Sequence, residues 1–445
     1  MKIYNYKDLS KSKIEELCSR QIEDDKLIES RVADIVKSVK AEGDKALFNF
    51  AKAFDQVELE KLFLDGEELK AIAATIPAEA KKAIDTAYEN IRNFHLSQLK
   101  KEDKVETMPG VVCWREARAI EKVGLYIPGG TAVLPSTFLM LATPALIAGC
   151  KEIVVCSPPQ SDARLPDGQG KTNCYLAYCA VLLGIEKVFL IGGAQAVAAM
   201  AFGTESVPQV YKIFGPGNRY VTTAKTMVQN KVAIDMPAGP SEVLVIADET
   251  ANPSFVAADL LAQAEHGIDS QAILLSTSNY IIAETLKEVE NQLAILPRKD
   301  IAAKAIANSY AVLTKNLDEA MQFSNEYAPE HLILATENFA DIIPSITNAG
   351  SVFLGNFTPE SVGDYASGTN HTLPTSGFAK AYSGVSTDAF LKKITFQHLS
   401  SQGLNNIGAT VEILAAAEGL EAHKNAVSVR LSLESKDRSQ ESEDK

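Results

Sequence analysis

Several features missing from this 445-residue chain narrow its class at once. No stretch offers the ~18 uninterrupted apolar residues that a membrane helix needs, and no apolar signal run follows Met1-Lys2-Ile3-Tyr4-Asn5-Tyr6-Lys7. Positive charge is in the minority, with 43 Lys+Arg against 57 Asp+Glu and a formal charge of -14. Nucleic acids and acidic membrane surfaces attract basic patches, so neither is expected as the main partner. The six cysteines, at 18, 113, 150, 156, 174 and 179, form no C-x-x-C pair and no disulfide-framework spacing. Cys156, inside Ile153-Val154-Val155-Cys156, reads as a small buried hydrophobe. There is no full G-x-G-x-x-G with an acid ~20 positions later, and no short-period repeat. The expectation is a soluble, cytoplasmic protein.

What is present is an ordinary globular composition, 46% hydrophobic and 22% charged, with chain enough for roughly three domains. Residues 1 to about 100 read as helical, with apolar residues at helical spacing over Ile28–Phe54 and a second long helix opened by Pro77. His95 falls there among polar neighbours and reads as a surface histidine. From about 111 the pattern becomes strand, glycine turn, helix. Strands are expected at 111–114, 123–127, 152–156, 187–191 and 210–214, with a polar loop over 157–172. A second series is expected at 242–247, 271–276, 309–314, 331–335 and 350–354. Asn252 is placed as the N-cap of an intervening helix and Pro253 at its first position. This pattern predicts parallel α/β sheets. A last helix is expected over about 404–424, and a polar tail after Leu433 reads as disordered.

The chain turns on Asn325-Glu326-Tyr327-Ala328-Pro329-Glu330-His331-Leu332. Pro329 ends a helix and biases Ala328 towards an extended conformation. Glu330 and His331 then sit on a helix-to-strand connection, where a rigid scaffold presents catalytic groups. A solvated loop pair is the plainer account of the same two residues. Gln263 and His266 share a helix face near its negative end, which suits a cation. His266 could equally cap terminal carbonyls. Asp364 and His371 lie in a Gly-rich loop, where turn chemistry would explain the aspartate. Glu418 and His423 straddle Gly419 on the final helix, and a glycine there signals close packing or the approach of another chain. Oxygen and imidazole donors from Gln263, His266, Asp364 and His423 would suit Zn2+, with Mn2+ or Co2+ fitting nearly as well. No spacing makes the four meet. Gly192-Gly193 and Gly215-Pro216-Gly217 are βα turns able to approach a pyrophosphate, or simply sites of close packing.

The runs VGLYIPGGTAVLPST (123–137), FLIGGAQAVAAMAFGT (189–204), IFGPGNRYVTTAK (213–225), DMPAGPSEVLVIAD (235–248), LLAQAEHG (260–267), NEYAPEHL (325–332) and AAAEGLEAHKNAVSVR (415–430) closely resemble histidinol dehydrogenases, over about 20 to 430. The resemblance implies an acid–base pair at Glu330 and His331, and zinc ligands at Gln263, His266, Asp364 and His423. It implies substrate contacts at Ser241, Gln263, His266, His331, Asp364, His371, Glu418 and His423, and NAD+ contacts at Tyr126, Gln195 and Asn218. It further implies two Rossmann-like units in an intertwined homodimer, with Glu418 and His423 supplied to the partner's site. The corresponding division is an arm (1–20), a main α/β domain (21–125 plus 242–377) and an inserted nucleotide-binding-like unit (126–241). A C-terminal dimer segment (378–431) and a disordered tail (432–445) follow. The implied reaction oxidises L-histidinol through L-histidinal to L-histidine with two NAD+. A related zinc-dependent alcohol dehydrogenase acting on another small amino or hydroxy compound is the alternative. His95 and His398 match no functional position.

Overall fold

The computed structural model describes residues 1–20, 26–129, 134–160 and 172–443. Most of the loop expected over 157–172 therefore lies outside the described residues, as do residues 130–133 of the first matching run. The chain divides into two compact units, one of residues 1–98 and 120–390 and the other of 99–119 and 391–445.

The larger unit holds two six-stranded sheets. In the earlier one the strands lie in the order Phe63–Asp65, Lys187–Leu190, Glu152–Ser157, Lys122–Tyr126, Lys212–Phe214, Ala233–Ile234. All pairs are parallel except the edge pair of Phe63–Asp65 with Lys187–Leu190. In the later sheet the order is Lys2–Asn5, Tyr310–Leu313, Gln271–Ser276, Glu242–Ala247, His331–Ala335, Ser351–Leu354, parallel throughout. Set aside the edge strand donated by the N-terminal region in each case, and both sheets share one topology. The first strand lies at the centre, the second and third follow on one side, and the fourth and fifth lie on the other. This is the order of a dinucleotide-binding fold short of its sixth strand, with its switch point between the first and fourth strands.

Both sheets are buried on both faces, which is why their strands read as continuous apolar runs. In Glu242–Ala247 every residue is buried. Val243 and Val245 pack with Val256, Leu260 and Leu274 on one face, while Leu244 and Ile246 pack with Ile273, Phe323 and Leu332 on the other. Alternation of side chains along a strand separates the two cores. The earlier sheet repeats the arrangement, with Val123, Leu125 and Phe138 in one core and Val154, Cys156 and Val197 in the other. The helix Lys26–Glu42 covers this second core through Val32, Ile35 and Val39.

Several expectations are corrected. His95 is not at the surface: it is 0% exposed, on the buried face of Ala78–Leu96 that also carries Ile84, Ala87 and Ile91. Its polar sequence neighbours project from the other faces of the helix. The N-terminal arm is an integral edge strand of the later sheet, while Phe63–Asp65 and most of Lys122–Tyr126, placed before the inserted unit, lie in the earlier sheet. Residues 99–119, expected in the main domain, belong to the smaller unit. There Leu391–Leu399, Val111–Ala119 and Val105–Met108 form an antiparallel sheet. The single helix expected over 404–424 is two, Ser401–Ala417 and Glu421–Glu443, because Gly419 takes φ +71° and ends the first. The second runs on through most of the tail expected to be disordered, whose Glu, Lys, Arg and Gln content supports a helix. Among the described residues no helix is long and apolar enough to cross a membrane.

Candidate active site

The Glu330–His331 connection forms from a strained helix end. Helix Leu317–Tyr327 stops at Ala328, whose φ of +52° is left-handed, so the extended conformation expected there is not adopted. The Ala328 N–H donates to Ser324 O (2.7 Å), the bond of a left-handed C-cap. Such a conformation costs a non-glycine residue ~1–2 kcal/mol and persists only when its surroundings enforce it. Arg20 supplies much of that enforcement. Its guanidinium donates to Tyr327 O (2.6 Å), lies 3.5 Å from the Tyr327 ring centroid, and forms a bidentate pair with Glu242 (2.8 and 2.7 Å). The Glu242 backbone N–H in turn donates to Glu330 Oε2 (2.8 Å). Thus a residue 310 positions upstream fixes the carboxylate of the dyad.

Register brings the other groups in. His331 opens its strand opposite Val243 and Ser351, and Gln263, fully buried, stands in the last turn of Pro253–Ala264. His266 falls just past that helix rather than inside its last turn. Asp364 is not in an open loop: it lies on the short helix Glu360–Tyr365, four residues from Glu360 and so on the same face. Ligand atoms of His266, Glu360 and Asp364 all come within 4.8 Å of one another. His331 Nδ1 is 3.7 Å from both Glu330 Oε2 and Glu360 Oε1, and its Nε2 is 3.4 Å from Asp364 Oδ1.

The proton positions follow from the acceptors. His331 Nδ1 lies 3.1 Å from Glu242 O, which can only accept, so Nδ1 carries the hydrogen and Nε2 is the free basic nitrogen. His331 Nε2 and Glu360 Oε2 are buried with no hydrogen-bond partner among the described residues. Burial pushes both Glu330 and Glu360 up to about 8, despite the nearby His331. Burial alone would lower the His331 imidazole, but Glu360, Glu330 and Asp364 outweigh it and hold its pKa well above the usual value; a cation held by those carboxylates would offset their pull and favour the form with Nε2 unprotonated. A buried excess of carboxylates with orphaned atoms is a cluster that wants a cation. Oxygen donors beside an imidazole suit Zn2+ or a similar divalent ion, so the residues present fit a metal.

His371 is part of the same wall, with both ring nitrogens engaged inside the chain. Nδ1 donates to Asp364 O (3.0 Å), and Nε2 meets the Thr137 hydroxyl (2.8 Å). Burial lowers its pKa, so it is a neutral prop for the Asp364 helix. A cleft is lined by Ser241, Glu330, His371 and Thr375, and on its other side by Gly215, Pro216, Gly217 and Lys225.

That other side is the C-terminal edge of the earlier sheet. Gly215 has φ +128°, and a Cβ there would stand 2.1 Å from Tyr126 O, so only glycine lets the two central strands end so close together. The buried Lys225–Asp235 pair clamps the turn: Lys225 donates to Gly215 O (3.0 Å), and Asp235 accepts from Gly215 N–H (2.8 Å). Tyr126 Oη accepts from Gly193 N–H (3.1 Å), Gln195 is buried in the first turn of Gly193–Phe202, and Asn218 caps Arg219–Met227 through Val221 N–H (3.2 Å). Two helix N-termini thus face the switch point, an arrangement that fits a pyrophosphate. Ser157 and Pro158 follow the second strand, where a ribose-binding carboxylate usually stands.

Glu418 and His423 lie in the smaller unit, on either side of Gly419, and both are exposed. Sequence reading missed Glu360, Glu242 and Arg20. Glu360 left a signal, an acid four residues before Asp364 and just after Pro359, the spacing of one helical face. Arg20 and Glu242 left none, since only the fold joins them.

The histidinol dehydrogenase family profile matches residues 18–431. The histidinol dehydrogenase of Bacteroides thetaiotaomicron is 56% identical over 432 residues, covering 97% of this chain and 99% of its own. The chloroplastic enzyme of Arabidopsis thaliana is 50% identical over 435 residues, covering 97% and 91%. The crystal structure of histidinol dehydrogenase from Elizabethkingia anophelis superimposes with a TM-score of 0.92 at 52% identity, covering 97% of this chain and 98% of that one.

Proposed function

The chain belongs to the histidinol dehydrogenase family, and from that premise we propose how its residues divide the work. Membership carries the activity: an NAD-dependent oxidoreductase acting on L-histidinol in histidine biosynthesis. The proposal concerns the metal, the two steps and the roles of the side chains.

Gln263, His266 and Asp364 would hold a Zn2+ ion, with His423 of a second copy of the chain as the fourth protein ligand. Bound there, the ion would supply Lewis-acid chemistry for a small amino alcohol. Tyr126, Gln195 and Asn218 would hold NAD+, the hydride acceptor of each half-reaction. His331 takes the alcohol proton on Nε2, the nitrogen left free when Nδ1–H is committed to Glu242 O. Glu330, 3.7 Å away and held by the Glu242 N–H, removes a proton from the water that attacks the aldehyde carbon. His331 then accepts a proton from the hydrated aldehyde as the second hydride leaves. Ser241, His371 and Glu418 shape the substrate site, His371 by holding the Asp364 backbone.

The observation that carries this reading is the buried carboxylate–imidazole cluster with orphaned Glu360 Oε2 and His331 Nε2 beside the dyad. Two NADH formed per histidine under anaerobic conditions, lost on chelation and regained with Zn2+, is the expected result. One NADH per turnover with aldehyde released, or full activity in a metal-free sample, would defeat it. Gel filtration with mixed Glu330→Gln and His423→Ala chains tests the shared site: the mixture should regain activity that neither variant has alone.

A further inference from the structure

We propose that Glu360 is a positioning residue that fixes which end of the Gln263 amide faces the metal. The inference rests on the metal reading above and extends it to a residue that reading does not use.

An amide is an ambiguous ligand, because its oxygen can bind a cation while its NH2 group cannot, and the two ends differ little in shape. Something must decide the orientation, or an ion would meet a repelling N–H edge in part of the population. Here one branch of the Gln263 amide lies 3.1 Å from Glu242 O, 3.1 Å from Glu360 Oε1 and 3.2 Å from His331 Nδ1, whose own hydrogen is directed to Glu242 O. The two oxygens are acceptors and outnumber the single imidazole N–H. Oxygen on that branch would face two oxygens, whereas NH2 donates one hydrogen to each. The two hydrogens are thereby used up, and the amide oxygen is left on the opposite branch as the available ligand atom.

Glu242 O has two lone pairs, one for the His331 Nδ1 hydrogen (3.1 Å) and one for a single amide hydrogen. Glu360 is the acceptor for the other amide hydrogen, and among the described residues no other hydrogen bond engages it. Glu360 is 1% exposed, and its other oxygen has no partner. It stands on the Asp364 helix, so one short element supplies both a ligand and the residue that aims a ligand on another helix. The outer partner of a metal ligand usually governs affinity by ~10–100-fold. The same carboxylate stands 3.7 Å from His331 Nδ1, on the side where that nitrogen carries its hydrogen.

The test is zinc affinity of purified, metal-stripped protein by chelator competition, with thermal unfolding to confirm that each variant is folded. Glu360→Leu removes the acceptor and should weaken Zn2+ by ~10–100-fold. Glu360→Gln keeps an oxygen that can take the Gln263 NH2, so its affinity should stay within about threefold of the parent. In a Gln263→Glu background, where the ligand has no wrong end, Glu360→Leu should cost nothing further. Should Glu360→Leu not fold, Glu360→Met offers an unbranched replacement that also lacks an acceptor. Unchanged affinity in a folded Leu or Met variant overturns the proposal, as does a loss in Glu360→Gln equal to that in Glu360→Leu. A parent that binds no divalent ion defeats the metal reading itself, a result distinct from either of these.

Discussion

The two sheets of the larger unit have the same strand order and use opposite ends. In the earlier sheet the candidate binding features sit beyond the C-terminal ends of the strands, at Gly193, Gly215 and the starts of Gly193–Phe202 and Arg219–Met227. In the later sheet they sit at the N-terminal ends of the strands: His331, Glu330 and Glu242, with Gln263 and His266 where a helix finishes. Helix polarity explains the choice. Helix N-termini gather at the C-terminal edge of a parallel sheet and attract anions, while helix C-termini gather at the other edge and favour cations. One topology therefore offers an edge for a dinucleotide phosphate and an edge for a metal ion. The cleft bounded by Gly215–Gly217 on one side and Ser241, Glu330 and His371 on the other brings the two edges face to face. Each edge also has a buried ion pair beneath it, Arg20–Glu242 and Lys225–Asp235.

That division can be broken experimentally, most severely at the dyad. His331→Asn should lower turnover with both histidinol and histidinal by ~10²–10⁴-fold, while NAD+ binding measured by calorimetry stays as in the parent. Glu330→Gln should slow the aldehyde step selectively. Equal losses of turnover and NAD+ affinity in His331→Asn would mean that the two edges do not work separately. Arg20→Met comes next, because it leaves the Glu242 carboxylate buried and unpaired. A destabilisation of ~3–5 kcal/mol is expected in urea unfolding, with turnover reduced in the folded fraction because Ala328 and Glu330 lose their anchor.

Asn218→Ala probes the other edge. It removes an N-cap worth ~1 kcal/mol and should raise KM for NAD+ with zinc affinity untouched; a change in zinc affinity would contradict the separation. The last test concerns acid and touches neither edge. Burial pushes His95 down to about 4, below its unfolded value, so the unfolded chain takes up the proton first. Stability from this group is complete above about pH 6.5 and is lost as pH falls towards 4, at ~1.4 kcal/mol per unit. His95→Asn should flatten the fall in unfolding temperature between pH 7 and pH 5, whatever its effect at pH 7.

How much of this was legible follows from the range of the interactions. The strands were readable because doubly buried parallel strands are continuous apolar runs, as in Glu242–Ala247, set between glycine turns. Asn252 and Pro253 announced their helix through contacts a few residues long. His95 was misread because its polar neighbours describe the outer faces of the helix and say nothing of what covers the inner one. Ala328 was misread because the local preference before a proline is overridden by Arg20 from 308 residues away. Gly419 was visible as a special position, but whether it packs closely or ends a helix depends on a φ angle that composition does not fix. Residues 99–119 went to the wrong unit because their partner strand, Leu391–Leu399, lies almost 300 residues later.

By itself the sequence determined the α/β class, the sites of the glycine turns and, through long matching runs, the family. Those depend on patterns within a few residues or on stretches that can be compared directly. Only the tertiary structure decided which groups gather at each sheet edge, that Glu360 joins His266 and Asp364 in one cluster, and which nitrogen of His331 faces the Glu242 carbonyl. Each of these is set by distances between segments far apart in the chain, and such distances come from packing two sheets with their buried ion pairs.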